Sequence, residues 1–247
     1  MTRPVNTAPA PGFPGGTAVT GLRVYDWEAA DGLCGGSPHV HTVSSEAYLV
    51  TAGTGRVDTI SMDGAAEHPL ALGSLLWFSP GTVHRLINTG GLTLHVVMSN
   101  AGLPEAGDAV LTFPRHILED PVLYAGHATL PRDAGQPAAA AAARRRRDLA
   151  LEGYEELRTS VLREGPEALL EFHRLAAALV RPSVERWKQI WAANVRKQME
   201  TTGKALDDLG AGSAASMAAA AVMRAQQRPQ EGLGMCGRLT TWEDSRL

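Results

Sequence analysis

The sequence predicts a mainly β N-terminal part, an all-β barrel or sandwich, followed by an α-helical extension and a terminal strand. Three observations carry this. Short segments of strand composition, separated by turn signals, fill residues 21–113. From about residue 144 to 228 the apolar period becomes that of a helix. After Pro229 the pattern returns to alternation. The 247 residues, 44% hydrophobic and 20% charged, suffice for one large domain or for a small domain with an appendage.

Taken in order, residues 1–18 are rich in Pro, Gly, Ala and Thr and offer little to bury, which predicts a mobile tail. Residues 19–113 form the β unit. Its strands are LRVYDW, PHVHTV, AYLVTA, RVDTISM, SLLWFS, HRLIN and LTLHVVM, and its breakers are DGLCGGS, GTG, MDGAAEHP, SPG and NTGG. Residues 114–143 read as connector and linker, with weak helical signal to 128 and low complexity over 129–143.

The helical extension spans 144–228. It opens on Arg144–Arg147, whose acidic neighbours Asp148, Glu152, Glu155 and Glu156 suggest a solvated face rather than a nucleic-acid contact. Ala150, Tyr154, Leu157 and Val161 share one helix face, and Gly165-Pro166 ends that helix. Phe172, Leu175 and Leu179 give a second stripe, stopped at Arg181-Pro182. Ser183 then suits an N-cap for a third helix, with Val184, Trp187, Trp191 and Val195 inward and the two tryptophans as core. Residues 210–228 are Ala-rich and form a fourth helix or fray. In 229–247, Leu239 and Thr241 alternate with Arg238, Thr240 and Trp242, which predicts a terminal strand that returns to the β unit or pairs with another subunit.

Charge and composition exclude several functions. Net charge is −3, with 6 basic against 12 acidic residues in 1–139 and 17 against 14 in 140–247, so neither part is a basic nucleic-acid footprint. There are 20 Arg but only 3 Lys, the first being Lys188, so the β unit has no lysine for a Schiff base or a phosphate loop. Cys34 and Cys236 are too few for a disulfide framework or a four-cysteine zinc site. No apolar leader and no membrane-length apolar run stands in the sequence, so the expectation is a soluble cytoplasmic protein with reduced cysteines and neither membrane nor nucleic-acid partners.

Chemistry concentrates in the histidines. His39 and His41, two apart on a predicted strand, point to one face. Glu46 stands at odd spacing from them, so Val43, Ser44 and Ser45 must bend to bring it back. Pro80-Gly81 makes a turn that delivers His84 at a strand start, with Asn88 four residues on. Three imidazoles and a carboxylate suit a first-row divalent metal and leave positions open on a six-coordinate ion. Tyr48 shares the face of Glu46 and offers a phenol for acid–base work. His95 faces either the pocket or solvent, and one of Trp77 and Phe78 must face inward.

These residues resemble the cupin superfamily. Its first motif is matched by His39, His41, Glu46 and Gly53, with the leading glycine displaced to 32, 35 or 36; its second by Gly73, Gly81, His84 and Asn88, with Ser79 at the proline position and Pro80 beside it. The resemblance covers about residues 20–113. It implies a jelly-roll barrel (a double-stranded β-helix) with His39, His41, Glu46 and His84 as ligands of one divalent transition metal: Fe, Mn, Ni, Co or Zn. It also implies a small-molecule substrate and a homodimer. Tyr48 and His95 are the catalytic candidates. The leading expectation is a metal-dependent enzyme acting on a small oxygenated organic molecule, dioxygenase-like. The alternatives are an isomerase, epimerase or lyase of a sugar-like or carbonyl substrate, and a non-catalytic binding or sensing module.

Overall fold

In the computed structural model, which describes residues 13–131 and 135–246, the strands of the β unit run β1 (Ala18–Val24), β2 (His39–His41), β3 (Glu46–Ser61), β4 (Gly64–Ala71), β5 (Leu75–Phe78), β6 (Val83–Met98) and β7 (Ala109–Leu111). Two of them are long. AYLVTA and RVDTISM belong to one strand, β3, and HRLIN and LTLHVVM to another, β6, so GTG and NTGG bend strands rather than end them. The bend has a steric cause. Gly53 sits at φ +75°, and a Cβ there would run into the carbonyl oxygens of Gly90 and Gly91. The β3–β6 register shifts on either side of this crossing, between Val50 and Ala52 and between Thr54 and Gly55.

The bend divides the sheet into two halves. The first half of β3 pairs with β5 and with the end of β6, which in turn pairs with β1. The second half of β3 pairs with β4 and with the start of β6, which takes β2 and, through it, β7. Side chains of both halves meet in one core: Tyr48, Val50, Leu94 and Val96 from one, Val57, Leu70 and Leu86 from the other. This is the jelly-roll arrangement that the cupin resemblance implies. Two strands go beyond those the sequence predicts. The segment MDGAAEHP, taken as a breaker, turns at Gly64 and continues as β4, whose Pro69 is tolerated because the strand lies at the sheet edge. Strand β7 has three residues, too few to show alternation.

Beyond the sheet come α1 (Arg115–Leu118) and α2 (Pro121–Ala128), the latter capped by Asp120, whose carboxylate accepts from Val122 and Leu123 N–H. Helix α3 runs from Gly135 to Glu164, so the low-complexity stretch read as linker is helical from 135 onward, as its alanines favour. Positions 132–134 lie outside the described residues. Then follow α4 (Ala168–Val180), α5 (Val184–Trp191) and, after a π turn, α6 (Lys197–Gly210). The 210–228 segment is not a fourth helix: it makes a short 3-10 turn and then β8 (Met223–Gln227). Strands β9 (Gly232–Leu233), β10 (Gly237–Thr240) and β11 (Trp242–Arg246) close the chain; β10 pairs with β1 of the same chain and β11 with β8.

The helices lie on the outside of the second half-sheet. Ala150, Tyr154, Val161, Leu169 and Phe172 pack against Val40, Ile60, Val83 and Leu111. The arginine run is not a solvated face. Arg147 is 2% exposed and donates to the carbonyls of Trp27 and Glu28 at 2.6 and 2.8 Å, Arg146 reaches those of Ala128 and Gly234, and Arg144 stacks on Trp27. The run therefore fastens α3 to the β unit. Of the two tryptophans, only Trp187 is core; Trp191 is 37% exposed. At the other end, residues 1–12 of the expected mobile tail lie outside the described residues, while Gly16 is buried and hydrogen-bonded to Gln198 and Ala101. No described helix is long and apolar enough to cross a membrane.

Candidate metal centre

Strand β2 places His39 and His41 on one face and Val40 on the other, against the helices. His84, near the start of β6, lies directly across from His39. Glu46 begins β3 in the other half-sheet and reaches the histidines because residues 42–45 bend. One side chain holds that bend. The buried Asp108 carboxylate accepts from the N–H groups of Thr42, Val43 and Ser44 at 2.9, 2.8 and 2.9 Å and from the Thr42 hydroxyl at 2.6 Å. Ser99 Oγ accepts from Ser45 N–H, extending the support. The second turn is fixed as firmly. Gly81, at φ +87°, donates its N–H to the His41 carbonyl at 2.9 Å, and its own carbonyl lies 2.7 Å from Nε2 of His173 on α4.

The four side chains converge: a ligand atom from each of His39, His41, Glu46 and His84 lies within 4.8 Å of every other. Nε2 of His84 is 3.1 Å from Nε2 of His39 and 3.1 Å from Oε2 of Glu46; Nε2 of His41 is 3.3 Å from the same oxygen. The opposite ring nitrogens are spoken for. Nδ1 of His39 donates to the Ser37 carbonyl at 2.9 Å and Nδ1 of His84 to that of Thr82 at 3.1 Å, which turns each Nε2 lone pair inward. Nδ1 of His41 faces Asp108 Oδ2 at 3.6 Å, beyond hydrogen-bond length but close enough for charge to act. Glu46 Oε2 is buried without a hydrogen-bond partner. Buried lone pairs that face one another and an unmatched carboxylate oxygen fit a cation.

Electrostatics agree with that fit. Burial, helped by the charges of His84 and His41, pushes the His39 pKa well below its ordinary value, so the imidazole is neutral. Burial would raise the Glu46 pKa, but His84 and His41 hold it well below the carboxylate range. Burial would lower His41; the carboxylates of Asp108 and Glu46 beside it overcome this and raise it to about 9. Asp108 itself would be raised by burial and is instead kept below the usual range by His41, Thr42 and Ser44.

The other candidates separate. Tyr48 is fully buried beside the centre, its ring 5.5 Å from Phe78 and 6.5 Å from His84, and its hydroxyl has no hydrogen-bond partner. Burial and then the charge of Glu46 raise its pKa well above that of a free phenol, so it is a donor. His95 is not in the pocket. Strand alternation turns Leu94 and Val96 inward and leaves His95 exposed on the outer face, against the ring of Trp242. Phe78, not Trp77, faces inward, 4.4 Å from His84. Asn88 accepts from Gly90 and Leu92 N–H and shapes the bend of β6. Asp108 is the residue that sequence reasoning missed; only the demand for a bend at 42–45 pointed toward a residue of its kind.

Residues 27–100 match the family model described as the cupin domain. No curated protein matches the chain. Among solved structures, a cupin protein from Bacteroides fragilis is similar at 19% identity, over 35% of this chain and 65% of that one, with a TM-score of 0.26. KdgF from Halomonas sp. is similar at 17% identity, over 28% and 59%, with a TM-score of 0.25. Drosophila melanogaster CENP-C, in a structure bound to CAL1, is similar at 15% identity, over 34% and 63%, with a TM-score of 0.26. In each case the match spans less than two thirds of the other chain.

Proposed function

We propose, from the match of residues 27–100 to the cupin domain and from the cluster itself, that His39, His41, Glu46 and His84 hold one divalent transition metal (Fe, Mn, Ni, Co or Zn) and that the protein is a metal-dependent enzyme acting on a small oxygenated organic molecule. One observation carries the reading: three inward Nε2 atoms and a carboxylate oxygen gather within 4.8 Å, buried and without hydrogen-bonded partners for that oxygen. When bound, the ion supplies Lewis-acid chemistry, and redox chemistry if it is iron or manganese. The chain supplies the rest. Glu46 brings the negative charge that a divalent ion requires, and the Nδ1 bonds to Ser37 and Thr82 keep His39 and His84 aimed inward. Tyr48 holds its proton and donates a hydrogen bond to a substrate oxygen. Phe78, Met98 and Tyr48 make the adjoining wall apolar and exclude water. That wall has no cation to receive a phosphate ester, which favours an uncharged or singly charged substrate.

Within this reading, dioxygenase-like oxidoreductase chemistry stands ahead of isomerase, epimerase or lyase chemistry. A sensing role draws on a separate observation, the bond from His173 of the helical extension to the turn that carries His84. The test is elemental analysis of protein purified without added ions, followed by a screen for oxygen consumption. Near-stoichiometric metal is expected in the native protein and its loss in His41→Ala and His84→Ala; full metal in both variants would reject the site.

A further inference from the structure

A cavity lies apart from the metal centre. It is a cleft of about 440 Å3 between the 42–43 bend and helices α4 and α5. Its size is within the range of roughly 300–1,000 Å3 usual for small-molecule sites. Val43, Val180, Val184 and Trp187 supply apolar walls, and Ala178 leaves room between them. The walls are set in place. Trp187 is buried and donates Nε1–H to the Ala106 carbonyl at 3.2 Å, while Asp108 fixes the bend from behind. Val43 is 43% exposed, although the chain around it is held by three hydrogen bonds to that carboxylate.

Charge is placed at one point only. Arg181, at the junction of α4 and α5, is the single charged residue of the lining, and among the described residues it has neither an ion pair nor a side-chain hydrogen bond. No acidic group lines the cleft. An apolar trough with one unpaired guanidinium complements a molecule with an apolar body and one anionic end, and a guanidinium fork matches a carboxylate in geometry. An amine would meet like charge, and a multiply charged phosphate would find one cation where it needs several.

We propose that this cleft is a second binding site of the protein and that it takes a small monocarboxylate with an apolar tail, the carboxylate on Arg181 and the tail along Val43, Val180, Val184 and Trp187. The site stands independently of the metal centre, although its floor is the segment that joins His41 to Glu46. The probe is octanoate, followed by two-dimensional NMR on the full chain, with octanol and octylamine as controls. Octanoate is expected to bind with a Kd below about 1 mM, and both controls at least about tenfold more weakly. Arg181→Gln should reduce octanoate to the level of octanol. Ala178→Trp, a change at an exposed position that fills the trough, should abolish binding. Octanoate binding that survives Ala178→Trp, octylamine binding as well as octanoate, or no shift with octanoate up to about 10 mM would each overturn the proposal.

Discussion

Two groups of buried polar side chains, the metal-centre cluster and Arg147, obey opposite rules. Arg147 is 2% exposed, and every nitrogen of its guanidinium is engaged: Nε with Asp148 Oδ1 at 2.9 Å, the other two with the carbonyls of Trp27 and Glu28. His39, His41, Glu46 and His84 are also buried, yet their inward atoms are turned on one another rather than on the surrounding chain, and Glu46 Oε2 has no hydrogen-bond partner. A buried polar group that serves only the fold mostly finds its partners within the chain, because an orphan costs about 1–3 kcal/mol. An orphaned carboxylate oxygen ringed by inward imidazole nitrogens is a site that something outside the chain completes. Satisfaction, rather than burial, distinguishes the two.

If that distinction holds, added metal should stabilise the protein through the cluster and through nothing else. At a free ion concentration a thousandfold above Kd, linkage gives about 4 kcal/mol. The expected outcome is a clear rise in Tm for the native chain and none for His84→Ala. An equal rise in both would place the ion elsewhere. The next largest effect belongs to the other group. Arg147→Met removes three donors and strands two carbonyls under α3, for an expected loss of about 3 kcal/mol in urea unfolding. Arg145→Ala, in the exposed part of the same run, should cost within about 0.5 kcal/mol. Similar losses in the two variants would make the run a solvated face after all.

Asp108 belongs to both groups, since it is fully paired and also holds the functional bend. Asp108→Asn keeps its shape but loses charge and one acceptor. Ser44 N–H or Val43 N–H is then left unmatched, and Glu46 is less firmly returned to the histidines. Metal affinity should fall about 10–100-fold by competition titration, the usual cost of removing an outer-shell partner, while the fold persists. Unchanged affinity would mean that the bend is held without it. Asp108 also marks the limit of what the sequence discloses. The four converging residues are legible because their spacings and turns match the cupin motifs, and the need for a bend between His41 and Glu46 follows from strand spacing alone. The residue that holds the bend comes from a distant loop, where a lone aspartate carries no pattern. For a related reason the local charge balance at Arg146 and Arg147 suggests solvent, whereas the tertiary approach of the 27–28 and 234 carbonyls buries both. Gly53 and Gly90-Gly91 look like breaks in the sequence because a glycine that ends a strand and one that lets two strands cross are alike in one dimension.

The finest test of the contrast counts one proton. In the metal-free protein the pKa of His41 is raised to about 9, because Asp108 and Glu46 outweigh burial, so at pH 7 the imidazole carries charge between two carboxylates. A folded-state pKa above the ordinary value of roughly 6.5 adds stability that is fully present below that value and is lost as pH rises through about 9. A metal needs the same Nε2 lone pair, so uptake must displace the proton. Calorimetry near pH 7 in buffers of different ionisation enthalpy should therefore register release of about one proton per metal bound, and apparent affinity should climb with pH until it levels near 9. Uptake without proton release would mean that His41 is already neutral and that Asp108 acts on the bend alone. Arg147 supplies the control within the same molecule. A guanidinium has no proton to surrender anywhere in this range, so the Arg147→Met loss should be the same at pH 6 and pH 9, whereas the metal-linked gain should not.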